Sequence, residues 1–61
     1  MVPSAARDYV PASLYIELLS TPQERTIATA VVAVCVDHGL SYPAACEVGR
    51  AVIRAGRRRG D

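Results

Sequence analysis

The chain has 61 residues, seven basic and six acidic, and 51% of them are hydrophobic, with three tyrosines as the only aromatics. That apolar fraction is too high for a disordered chain, and the length allows one small domain with little room for an enclosed substrate pocket. Up to Gly49 the charges are Arg7 and Arg25 against Asp8, Glu17, Glu24, Asp37 and Glu47, a balance of −3; from Arg50 onward five arginines face Asp61, a balance of +4. An acidic body with a basic end is the result.

Met1–Arg7 reads as an unanchored arm. Arg7, Asp8 and Glu17, with Pro3 and Pro11, interrupt this end of the chain. It therefore lacks the apolar run of a secretory leader, and the expected location is the cytoplasm. Asp8 can cap a first helix over residues 8–19, with Pro11 tolerated in its first turn. Val10, Leu14 and Leu18 recur at four-residue spacing beside Tyr15 and Leu19, which predicts that this stripe packs inward.

The second helix is predicted over residues 22–38. Thr21-Pro22-Gln23-Glu24 is a capping box with proline at the first helical position, and Gly39 followed by Leu40 supplies a left-handed stop. Valines 31, 32, 34 and 36 favour strands, but the length and the signals at both ends favour a helix. Thr26 to Val36 carries no charge, too short a run to span a bilayer, which takes about 20 residues. A helix apolar nearly all round must be covered on most sides. Two short neighbours cover about half of it, so Ile27, Val31, Val32, Val34 and Val36 are expected to meet a second copy or a protein partner.

Ser41 caps a third helix over residues 42–56, with Pro43 in the first turn and Gly56, or else Gly60, at its end. Ala45, Val48, Val52 and Ala55 form one stripe, while Arg50, Arg54 and Arg58 form a second that faces solvent. Residues 57–61 are expected as a basic tail. The cluster Arg50, Arg54, Arg57, Arg58 and Arg59 suits a nucleic-acid phosphate backbone or an acidic protein surface. It equally suits the negative end of its own helix. A helix-turn-helix register breaking at Gly49 puts Arg50 and Arg58 at positions that should be apolar; one continuous helix, with Gly49 admitting a close neighbour, fits better.

Cys35, His38 and Cys46 are the remaining reactive side chains. In an antiparallel hairpin about Gly39–Ser41, residues whose numbers sum to 81 lie level, as Cys35 and Cys46 do. Two small buried thiols are the preferred reading over a disulfide, which a reducing compartment disfavours. A metal centre would have only these three soft ligands, at a spacing that matches no zinc pattern. With one histidine, no phosphate loop and no paired carboxylates, the chain is expected to be no enzyme, with no cofactor and no small-molecule substrate. Tyr9, Tyr15 and Tyr42 suit a core rim or an interface equally. Arginine without any lysine or asparagine reflects GC-rich coding, which points to a high-GC bacterium, or to a phage or mobile element of one. The expectation is an all-α three-helix domain, dimeric through its central helix. It would serve as a small protein-binding or regulatory module that docks by an apolar helical face; the alternative is a small dimeric DNA-binding regulator that uses the arginine-rich third helix.

Overall fold

The computed structural model describes residues 10–60, which form three helices and no strand: α1 Ala12–Leu18, α2 Pro22–Asp37 and α3 Tyr42–Gly60. The arm, the Asp8 cap, Tyr9 and Asp61 lie outside the described residues. α2 starts where its capping box places it. The Thr21 hydroxyl oxygen accepts from the Glu24 amide at 3.1 Å, and the Thr21 amide donates to Glu24 Oε1 at 2.9 Å. It stops after Asp37 because Gly39 takes a φ of +99°, which costs an L side chain but not glycine. The Gly39 amide then donates to Val36 C=O and the Leu40 amide to Cys35 C=O, both at 3.0 Å. This is the paired bonding of a Schellman ending.

α3 starts at the Ser41 cap, whose hydroxyl accepts from the Ala44 amide at 3.4 Å. It then runs unbroken through Gly49 and Gly56 to Gly60. Of the two expected ends, the helix takes the one at Gly60 and not the one at Gly56, and Arg57, Arg58 and Arg59 lie on the helix rather than in a tail. Glycine stops a helix when it turns left-handed, and Gly39 is the only described glycine that does so.

α2 and α3 form an antiparallel hairpin in the anticipated register. A Cβ on Gly49 would sit 3.2 Å from Val32 Cγ2, and Arg57 meets Glu24; both pairs of numbers sum to 81. α1 lies across one face of this hairpin. That Gly49 Cβ would also sit 3.0 Å from Ile16 Cδ1 and 3.3 Å from Ala28 O, so the missing side chain is what lets three helices converge.

The stripe that α1 buries is not the expected one. Ala12 and Ile16 are its buried residues, whereas Leu14 and Leu18 are 42% and 70% exposed. The groove that receives α1 has small residues at its floor (Ala28, Gly49), and Ala12 and Ile16 are the side chains that enter it. The resulting core is slight: Ala12, Ile16, Ala28, Ala45, Cys46 and Ile53, with Tyr15 and Val32 packed against it. Only the two isoleucines bring a full aliphatic side chain, each worth about 1.5–3 kcal/mol on burial. The molecule is 17 Å thick in its thinnest direction, room for two layers of helix and not for three. No described helix is long and apolar enough to cross a membrane.

Candidate functional site

A helix turns 100° per residue, so the stripe on α2 that is opposite its contacts with α1 is made of Ile27, Ala30 and Val34. Ile27 and Val34 are 55% and 56% exposed, and Ala30 is exposed as well. Val48 and Val52 on α3 add to the same side, each more than a third exposed. Ile27, Val52, Gly56 and Arg57 line an apolar groove between the two helices; Ala30, Val31, Val34 and Cys35 line a shallower depression beside it. Among the described residues, the hairpin thus has one face under α1 and one apolar face with no helix over it.

The five residues expected at an interface do not stay together. Ile27 and Val34 lie in the open, and Val31 is half-buried at the margin of the bare face. Val32 points the other way and packs against the core beside Gly49, so its place in the interface set is corrected: it is an internal contact. Val36 is 44% exposed but falls on the edge away from Ile27 and Val34. Only Ala28 of α2 is buried. Its two companions therefore leave it more open than an apolar helix tolerates in isolation.

The arginine cluster also divides. Arg57 is an internal clamp. Its Nε donates to Glu24 Oε2 at 2.8 Å, and Nη2 donates to Glu24 Oε1 at 2.7 Å and to the Leu19 carbonyl at 2.8 Å. Nη1 donates to the Tyr15 hydroxyl at 3.0 Å, and the guanidinium lies 5.7 Å from the centre of the Tyr15 ring. Four of its five N–H groups are thus used within the molecule. They close the carbonyl end of α1 with a cation and hold the acid of the α2 capping box with a two-pronged pair. Arg57 holds the Glu24 carboxyl at about 2, well below the usual carboxylate range, with help from the Thr21 amide. Glu24 in turn raises the Arg57 guanidinium above its ordinary value.

Arg57 is therefore withdrawn from the set expected to reach an external anion. Arg50 is half engaged as well: it pairs with Glu47 one turn earlier, and its Nη1 donates to the Val10 carbonyl at 3.4 Å. Arg54 and Arg58 continue the exposed row with Arg50, lining a depression with Glu47 and Ala51. Arg59 is exposed too.

Both thiols are free; Cys46 is buried and Cys35 half-buried. They are level along the hairpin but turned to opposite sides of it. Cys46 faces Ile16 and Val32 on the α1 side, and Cys35 opens toward Val31 and Val34. The His38 ring meets the Val34 carbonyl through Nδ1 at 2.9 Å. Cys35, His38 and Cys46 are not gathered, and no three potential metal ligands converge among the described residues. The Cys46 thiol beside Tyr42 pushes that phenol above its ordinary value, while the ring stays 61% exposed.

Among the described residues, the fold and face together define a three-helix domain whose two-helix hairpin is covered on one side only. Searches of known protein families, curated proteins and solved structures give no significant match to the chain. Two features were missed from the sequence although signals for both were present. The sum of 81 that aligned the two cysteines also aligns Glu24 with Arg57, an acid and a base. The open stripe Ile27-Ala30-Val34 follows the alternating three- and four-residue spacing of a helix seam.

Proposed function

We propose that this chain is a non-enzymatic docking module that binds a protein partner through the bare apolar face of its α2–α3 hairpin. The observation that carries the reading is the exposure of Ile27 and Val34, at 55% and 56%, on a helix with a single buried residue. A chain of this size with so small a core draws stability from association, and an uncovered apolar face is the surface that association would cover. Because the contact is apolar, it should persist in molar salt, where contacts between exposed charges are screened.

The alternative, a DNA-binding regulator, has weaker support. Two of its five arginines are engaged internally, one of them through four of its five N–H groups, and the net charge of the whole chain is only +1. Nucleic-acid retention that falls steeply from low to moderate salt and weakens on Arg54→Ala with Arg58→Ala would favour that alternative.

Sedimentation of the purified chain in molar salt, alongside an Ile27→Glu/Val34→Glu variant, tests the docking reading. The native chain should exceed one chain in mass, and the variant should run as a single chain with unchanged helical circular dichroism. A single-chain mass for both, with equal retention on a hydrophobic-interaction column, contradicts it.

A further inference from the structure

From the order of side chains along α2 we infer that the occupant of the bare face is a second copy of this chain, with the two α2 helices packed antiparallel about a two-fold axis at Ala30. This rests on the docking reading above and names its partner. Gln23, Ile27, Ala30, Val34 and Asp37 are all exposed and succeed one another at steps of four, three, four and three, the spacing of a seam between two helices. The seam is self-complementary when reversed. Ala30 meets its own copy at the centre, where a small side chain lets the backbones approach; Ile27 meets Val34, and Gln23 meets Asp37. Each contact occurs twice, as a two-fold interface requires.

The charges choose the direction. Asp37 lies in the last turn of α2, which holds no basic residue, so it faces the negative end of its own helix dipole. An antiparallel partner moves that carboxylate over the positive N-terminal end of the other α2. There the Gln23 side-chain amide can donate to it, as can the Gln23 backbone N–H, which has no partner within its helix. A parallel pair would instead set the two Asp37 carboxylates against each other. On α3 the residue level with Ala30 is Ala51. The same axis therefore brings Val48 toward Ala55 of the other copy and Arg59 toward its Ala44, so no like charges meet between the two α3 helices; Glu24, the acid beside Gln23, is turned to Arg57 of its own chain.

Sedimentation equilibrium of the full chain provides the test, with Gln23→Lys as the informative variant. In the antiparallel seam the introduced ammonium pairs with Asp37 of the other copy twice, and self-association should tighten roughly threefold to tenfold at low salt. In a parallel pair the two new ammonium groups face each other, and in a pair with α2 against α3 they approach Arg58 and Arg59; either way association weakens. A second probe does not depend on charge. In a Cys35→Ser background, Ala30→Cys should give a disulfide-linked dimer under copper-catalysed air oxidation, while Val36→Cys, exposed about 120° round α2 from Ala30, should remain a single chain.

Four results overturn the inference: a single-chain mass for the native protein, association that Gln23→Lys leaves unchanged or weakens, no Ala30→Cys crosslink, or crosslinking at Val36→Cys as efficient as at Ala30→Cys. Association that is lost in Ile27→Glu/Val34→Glu but is not tightened by Gln23→Lys would overturn this pairing and leave the docking face standing.

Discussion

On the face of the hairpin that α1 covers, α2 and α3 present Ala28, Val32, Cys46, Gly49 and Ile53; on the opposite face they present Ile27, Ala30, Val34, Val48 and Val52. Both sets are apolar, and the larger aliphatic side chains predominate on the uncovered side. The difference is size and not polarity. Small residues let a seven-residue helix come close enough to be held, while a row of β-branched side chains is left for a surface that can accommodate their bulk. Apolar character alone thus says that a residue seeks cover, and the distribution of volume says which neighbour can give it.

The sharpest way to break this comparison is to substitute the same residue type on the two faces. Ile53→Ala, at a site 3% exposed, should cost about 2–5 kcal/mol. That is a large part of the roughly 3–9 kcal/mol expected for a chain of this length. Ile27→Ala, at 55% exposure, should cost less than about 1 kcal/mol in dilute solution, where the chain is single. Urea unfolding at low protein concentration measures both. Equal losses would mean that the bare face is part of the monomer's core.

Two glycines of α3 sharpen the same point. A methyl at Gly49 would crowd Ile16, Val32 and the Ala28 carbonyl, whereas one at Gly56 meets nothing within 4 Å. Gly49→Leu should destabilise by about 1–3 kcal/mol or more through overpacking. Gly56→Ala should stabilise by about 0.5–1 kcal/mol through helix propensity. Thermal melts check both, and a stabilising Gly49→Leu would show that α1 does not sit where the structure places it.

Arg57 gives a smaller effect with a defined pH window. Its partner Glu24 has a folded-state value of about 2 against an ordinary 4.5. A lowered carboxyl contributes stability that is fully present above its unfolded value and is lost as the pH falls through that value toward the folded one. The melting temperature should therefore fall between about pH 5 and pH 2, and Arg57→Met should flatten that part of the profile while lowering its plateau. An unchanged profile in Arg57→Met would remove the clamp from the account. At the N-cap, Thr21→Ala should cost about 1 kcal/mol in the same thermal melts.

Much of this architecture was legible from residues with local work to do. The Thr21–Glu24 box, the Gly39 stop, the Ser41 cap and the register of the hairpin each depend on chemistry within a few positions or on one turn length. What was not legible depended on rotation and on partners far apart in sequence. The helical period of α1 pointed to the stripe of Val10, Leu14 and Leu18, and nothing local to it said that a small-residue groove would accept Ala12 and Ile16 in preference to Leu14 and Leu18. The valines of α2 were grouped by composition, which could not show that Val32 turns under α1 while Val34 turns away. Arg57 looked like one of five similar cations until its height opposite Glu24 set it apart.

The central claim is that the uncovered side of the hairpin is where this chain meets its partner. Amide and methyl NMR spectra of the native chain, recorded over a dilution series in molar salt, test it residue by residue. The account predicts concentration-dependent shifts at Ile27, Ala30, Val31, Val34, Val48 and Val52, with the signals of Ala12, Ile16 and Gly49 steady. Shifts confined to Leu14 and Leu18 on the back of α1, or to the Arg50-Arg54-Arg58 row, would contradict it.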